Sequence, residues 1–192
     1  MEKETVNVYD FDNTIYRGDS TADLYKYCLR HYPFGVIIRW PHLIFFGILF
    51  GLKIISKTNF KEKMYHFLRA VPDVDDAIDG FWDIHRDNIK GWYYEQKKDS
   101  DIISSASAVF SVKPMTDELG LRLIASKVDP RTGKYTGLNN HGEEKVVRLK
   151  DEYPNVIIDE FYSDSLSDTP LAKISKKAFF VKDDEITPWP GL

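Results

Sequence analysis

The sequence predicts an α/β protein with a doubly wound, Rossmann-like core, a mainly parallel sheet and an all-helical cap inserted near its start. Three observations predict it. Short β-prone apolar runs alternate with helical stretches, the pattern of a parallel sheet built from strand-helix units. Three of those runs give way to polar clusters, at Asp10, Ser105 and Asp164. Between the first run and the second, residues 17–90 read as almost wholly helical.

Thr5 to Tyr9 (TVNVY) alternates and is β-prone, and the DFDNT that follows is what a chain shows where a strand leaves a sheet. Ser20 and Thr21 are N-cap candidates for the helix ADLYKYCLRHY. Helical character continues to about Lys97, punctuated by Pro33, Pro41, Gly51 and Pro72, with Phe60, Met64, Phe67 and Leu68 at helical spacing. Ile102-Ile103 reads as a short strand ending in Ser104-Ser105-Ala106-Ser107, followed by a helix through Leu119. Leu121 to Val128 alternates, Asp129 to Gly133 turns, and Gly142-Glu-Glu-Lys145 opens a helix through Lys150. Val156 to Ile158 is the next strand, followed by a loop holding Asp164 and Asp168, and Ala178 to Val181 is the last. The expected division is residues 1–16 and 91–192 for the core and 17–90 for the cap. In such sheets the ligand sits beyond the carboxyl ends of the strands, where the three polar clusters could meet.

A chain of 192 residues is long enough for one good core and a small accessory domain. With a net charge of −4 and no polybasic run, neither nucleic acid nor an acidic membrane surface is favoured, and a small-molecule partner is expected. The single cysteine, Cys28, excludes an intrachain disulfide framework and a Cys-based zinc site. The Met1-Glu-Lys-Glu-Thr start lacks a signal-peptide profile, so a cytoplasmic protein is expected. Trp40 to Leu52 (WPHLIFFGILFGL) carries no charge but is shorter than the ~20 residues of a spanning helix and contains Pro41, Gly47 and Gly51. It is read as a buried cap helix or a partner interface. The sharper alternative is an apolar entrance for a lipid-like ester, and membrane contact through 40–52 is the less favoured reading. The oligomeric state is not legible.

Asp10 and Asp12, two residues apart at a strand end, need not point together if the chain turns between them. One carboxylate can then attack phosphorus to give a covalent acyl-phosphate, while the other protonates the leaving alcohol and later activates water. Crowded carboxylates repel a phosphate dianion unless a hard cation intervenes, and oxygen ligands of this kind suit Mg2+. Asp164 is a candidate to complete that set, and Asp168 could hold the metal's waters or lend a second ligand. Donors for the phosphate oxygens are the hydroxyls of Thr14 and Ser105, backbone amides around Phe11 and Ala106, and Lys145 at a helix start. Taken singly, each segment is an ordinary turn, cap or surface lysine; the order along the chain is what turns them into one site. The five histidines show no metal-ligand spacing, and His141 alone lies near the expected site.

Four segments in order, Asp10-Phe-Asp12-Asn-Thr14, Ser105-Ala-Ser107, Gly142-Glu-Glu-Lys145 and Asp164-Ser-Leu-Ser-Asp168, resemble the motifs of the haloacid dehalogenase-like phosphatases, in the branch that includes phosphoserine phosphatase. The resemblance implies Asp10 as nucleophile, Asp12 as general acid and base, and Ser105 and Lys145 as phosphate holders. It implies Asp164 as a magnesium ligand supported by Asp168, with Asp12 lending its backbone carbonyl. Ser107 belongs to the second motif, and Asp19 matches an acidic residue that meets the substrate ammonium in that branch. The chain departs from the phosphoserine enzymes where they carry a cap arginine, the position of Phe67 here, and in having Ser-Ala-Ser for Ser-Gly-Gly. The expected substrate is therefore a small or lipid-like phosphate ester other than phosphoserine. Phosphotransfer to an alcohol, or a silent binding protein using the apolar cap as an interface, are the alternatives.

Overall fold

The computed structural model describes residues 3–192, so the reading at Met1 and Glu2 lies outside the described residues. The chain opens with strand β1 (Glu4–Tyr9) and then runs through helices α1 (Ser20–His31), α2 (Pro33–Ile37), α3 (Trp40–Gly51), α4 (Lys57–Met64), α5 (Val74–His85) and α6 (Gly91–Gln96). Strand-helix alternation follows: β2 (Ile102–Ala108), α7 (Val109–Glu118), β3 (Arg122–Ser126), α8 (Glu143–Glu152), β4 (Val156–Ser163), α9 (Thr169–Ile174), β5 (Lys177–Lys182) and β6 (Glu185–Pro188). The sheet order is β3-β2-β1-β4-β5-β6. The first five strands are parallel and β6 pairs antiparallel with β5. Chain order reverses on either side of β1, and that is where a doubly wound sheet opens its ligand crevice.

Side chains alternate across the sheet and feed two cores. Val6, Val8, Ile102 and Ile158 meet Leu149 of α8 and Leu171 of α9 on one face. Tyr9, Ile103 and Tyr162 meet Tyr93, Val112 and Met115 on the other. Each such burial is worth about 1.5–3 kcal/mol relative to exposure. The second core does not stop at the sheet. It continues through Leu24 of α1 and through Phe81 and Trp82 of α5, so the helical block shares its apolar interior with the sheet. The Trp82 indole donates to the Ser111 carbonyl of α7 at 2.8 Å across that junction. Cys28 is wholly buried in this core. Burial pushes its thiol up to about 12, which makes it inert as a nucleophile.

Several local expectations change. Asp19, not Ser20 or Thr21, caps α1, accepting the Ala22 N–H at 2.9 Å. The short strand at Ile102-Ile103, expected to end in Ser104 to Ser107, runs on to Ala108, because pairing with β3 carries Ser104 and Ser105 along and resumes at Ala108. The helix expected through Phe67 and Leu68 ends at Met64, and these two side chains are buried from a 3-10 turn, Tyr65–Ala70. β6 was not foreseen. Most consequentially, α3 contains no buried residue, so it is not the buried cap helix expected, although one face packs on α4 through Phe50 and Phe60. Among the described residues no helix is long and apolar enough to cross a membrane.

Candidate active site

Asp10 is the first residue past β1, and its N–H donates to the Tyr162 carbonyl of β4 at 2.8 Å, so the parallel ladder fixes the backbone at this point. Asp164 is the first residue past β4. Because β1 and β4 are neighbours, the two carboxyls leave adjacent strand ends and lie close enough for the Asp164 charge to help raise Asp10. Thr14 fixes the second of them: its hydroxyl accepts the Asp164 N–H at 3.0 Å and lies 3.5 Å from Oδ1.

After Asp10 the chain turns sharply. The Phe11 carbonyl accepts N–H groups from Thr14, Ile15 and Tyr16, and Asn13 takes φ 57°, a left-handed conformation that asparagine tolerates. Asp12 is thereby turned away from Asp10. Its Oδ1 accepts the Ser20 N–H at 2.6 Å, and its Oδ2 accepts the Ser107 hydroxyl. Burial, and then the nearby Asp19 carboxylate, raise the Asp12 carboxyl above its ordinary range, against the pull of those donors.

Lys145 enters from the first turn of α8, whose N-cap Gly142 has φ 62°. Only 1 % exposed, it donates to Asp10 Oδ1 and Asp168 Oδ2 at 2.6 Å each. The Ser163 hydroxyl also donates to Asp168 Oδ2, at 2.8 Å, while Asp168 Oδ1 is buried with no hydrogen-bond partner among the described residues. Burial alone would lower the lysine; the Asp10 and Asp168 charges outweigh it and hold the ammonium above its ordinary value. Burial raises the Asp10 carboxyl, Lys145 opposes this, and Asp168 and Asp164 add to it. The cluster is short of positive charge.

The second motif sits on a bulge. Ser105 pairs with Ala125 but Ala108 pairs with Ser126, so Ala106 and Ser107 fall out of the ladder with β3. A bulge re-aims side chains at a sheet edge. Ser105 is wholly buried, its hydroxyl accepting the Ser107 N–H at 3.0 Å. Asn140, also wholly buried, donates to the Ser105 and Ile124 carbonyls and ties the β2 end to β3.

Asp10, Asp12, Asp19, Ala106, Lys145, Asp164 and Asp168 line one cleft of about 140 Å³, joined by Lys61 from α4 and by His141. The sequence-predicted Ser105, Ser107, Thr14 and Phe11 stand behind its wall. Ser107 holds Asp12, Thr14 holds Asp164, and the Phe11 ring is buried against Tyr16 and Trp82. Lys61, Lys90 and Asn140 were not foreseen. Lys90 is buried and donates to the Asn13 carbonyl at 2.7 Å and to the Asp183 carbonyl, pinning the turn that carries Asp12. A larger cavity of about 680 Å³ opens alongside, lined by Arg17, Lys90, Lys182 and Asp183, and shares only Asn13 and Asp164 with the cleft.

Among the described residues no three His, Cys, Asp or Glu side chains form a ready-made metal cage. Mg2+ does not require one: it is commonly held by one or two carboxylates with waters and substrate oxygens. The Asp10 and Asp164 carboxyls facing each other, and the orphaned Asp168 oxygen behind them, fit a hard cation at that edge.

A comparison with curated proteins returned no match. Among solved structures the fold is similar to a protein with unknown function from Bordetella pertussis Tohama I, at TM-score 0.71 and 21% identity over 92% of this chain and 89% of that one. It is similar to a phosphoserine phosphohydrolase-like protein from Francisella tularensis subsp. tularensis SCHU S4, at TM-score 0.52 and 14% identity over 91% and 85%. A phosphoserine phosphatase in apo form matches at TM-score 0.51 and 15% identity over 92% and 85%. The family model for haloacid dehalogenase-like hydrolases matches residues 8–173, from the strand that delivers Asp10 to the helix beyond Asp168, and the chain belongs to that family.

Proposed function

We propose that this hydrolase is a Mg2+-dependent phosphomonoesterase that works through an aspartyl-phosphate on Asp10. The observation that carries this reading is the division of labour between two carboxylates two residues apart. Asp10 faces Lys145 and Asp164, whereas Asp12 is turned to Ser107 and the start of α1. A nucleophile and a proton carrier at one phosphorus need that separation.

Lys145 holds one Asp10 oxygen and thereby orients the carboxylate. An Asp10 oxygen attacks phosphorus, the bond from phosphorus to the ester oxygen breaks, and Asp12 delivers its proton to the departing alkoxide. The raised Asp12 carboxyl suits it to carry that proton at the start. Asp12, now ionised, takes a proton from water, the water oxygen attacks phosphorus, and Asp10 is released with inorganic phosphate. Asp10, Asp164 and the Asp12 carbonyl would hold Mg2+, with Asp168 behind them. When bound it supplies charge that lets a phosphate dianion approach these carboxylates. Residues 17–90 act as the cap, placing Lys61 at the cleft. The substrate is a small or lipid-like phosphate ester.

Release of inorganic phosphate from p-nitrophenyl phosphate, with and without Mg2+, tests the reading. Turnover is expected only with the metal and falls at least about a thousandfold in Asp10→Asn, which cannot form the intermediate. Mg2+-independent turnover, or turnover retained by the variant, rules the mechanism out. Phosphoryl transfer to an added alcohol at the expense of phosphate release identifies a transferase instead.

A further inference from the structure

Helix α3 has two apolar faces and uses only one. His42, Phe46, Gly47 and Phe50 turn toward the next elements, with Phe50 stacked on Phe60 of α4 at 4.9 Å and His42 against His66 at 4.4 Å between ring centroids. On the opposite stripe Ile44, Phe45, Ile48 and Leu52 are 58, 57, 56 and 66 % exposed. Phe34, at 91 %, and Ile38, at 75 %, are further exposed apolar side chains on and just after α2. A helix apolar on all sides belongs inside a large core or a bilayer, and a contiguous exposed apolar patch of this kind marks a binding surface.

Charge decides what covers it. The chain is net −4, yet residues 30–70 contain seven Lys and Arg and one acidic residue, Glu62. Exposed Arg30, Lys53 and Arg69 belong to this segment, while Glu62 is turned inward and accepts the Tyr135 N–H at 3.0 Å. The whole-chain charge conceals this asymmetry, which is why composition argued against an acidic surface. A second copy placed on the patch would set the same cationic segment against itself, and like charges across an interface oppose association. An anionic bilayer satisfies both features, taking the apolar side chains below its headgroups and the cations among them. Twelve residues give α3 a length of roughly 18 Å, enough to lie in the interface and too short to span ~30 Å of hydrocarbon.

We infer that the α2–α3 surface docks the protein, in the plane of the interface, onto a membrane rich in anionic phospholipid. The same segment contributes Lys61 to the cleft. The docking itself does not depend on the phosphatase reading.

Co-sedimentation with phosphatidylcholine vesicles, with and without phosphatidylglycerol, tests it. Binding to the anionic vesicles is expected to exceed that to the neutral ones by about tenfold or more, and to fall by a similar factor in the triple variant Phe34→Ser, Phe45→Ser, Ile48→Ser. These positions are exposed, so circular dichroism should be unchanged, as should hydrolysis of a soluble ester. Arg30→Glu with Lys53→Glu supplies a second variant whose apolar surface is intact; it is expected to lose the preference for anionic vesicles. Equal sedimentation with both vesicle types, or full binding by either variant, overturns the inference. So does a dimer in analytical ultracentrifugation that the triple variant dissociates, without vesicle binding by the parent.

Discussion

Lys145 shows how much one side chain can carry. It is nearly inaccessible and contacts two carboxylates at 2.6 Å, so three charges have left water together. A buried ion pair is weak evidence of net stabilisation, but removal of one partner leaves an uncompensated buried charge and costs about 3–5 kcal/mol. Lys145→Met is expected to lose that much by urea unfolding at pH 7, together with its turnover. The sign of its pH dependence follows. Without the ammonium, nothing opposes the burial that already raises the Asp10 carboxyl, so its folded-state pKa lies above the unfolded one. The folded state then binds more protons, so the penalty shrinks as the pH is lowered toward 5. Urea titrations at both pH values check this; a penalty that grows on acidification would mean that the carboxylates keep another cation.

At the scale of elements, Asp19 has two roles. It caps α1 through the Ala22 N–H, and it lines the cleft beside Asp12, whose carboxyl it helps to raise. Two substitutions separate them. Asp19→Ala is expected to cost about 1 kcal/mol from the lost cap, and Asp19→Ser, which can still cap, to recover most of it. Both remove the charge beside Asp12, so both are expected to shift the alkaline limb of the pH–rate profile to lower pH, since Asp12 must hold its proton at the start and one cause of its raised carboxyl is gone. If Asp19→Ser leaves that limb unmoved, Asp19 is a cap and nothing more. The sequence showed an acidic residue at this place but not that it ends a helix, because Ser20 and Thr21 beside it are equally good caps by composition. Legibility elsewhere followed the same physics. β1 was visible because it is a short β-prone run ending in a carboxylate, and β4 only in its first part, Val156 to Ile158, because Asp159 and Glu160 interrupt the apolar run before the strand ends at Ser163. β6 was not, since three of its four residues are exposed and the Asp183-Asp184 turn before it looks like any exposed loop. Asp10, Asp12 and Lys145 announced themselves through local motifs. Asn140 and Lys90 did not, because what they bind lies in remote strands and turns and no nearby spacing encodes it.

At the scale of the whole molecule, the apolar core runs across residues 17 and 90, the limits expected for the cap. One continuous apolar cluster runs from Tyr9 and Ile103 in the sheet through Val112 of α7 to Leu24, Phe81 and Trp82 in the helical block. Trp82 lies where the two meet. Its ring packs edge-on against Phe11 and Tyr16 of the Asp10 loop, and its N–H reaches the Ser111 carbonyl. Helices α1 and α5 therefore cannot unfold without exposing the same side chains that support the turn after Asp10. The helical block and the sheet are expected to unfold together, giving coincident urea transitions by far-UV circular dichroism and tryptophan fluorescence. Trp82→Phe keeps most of the ring contact and removes the hydrogen bond. It is expected to lower stability by about 1–2 kcal/mol while leaving a single transition. Two separated transitions, with the fluorescence change preceding loss of the sheet signal, would show instead that the helical block is an independent domain resting on the core.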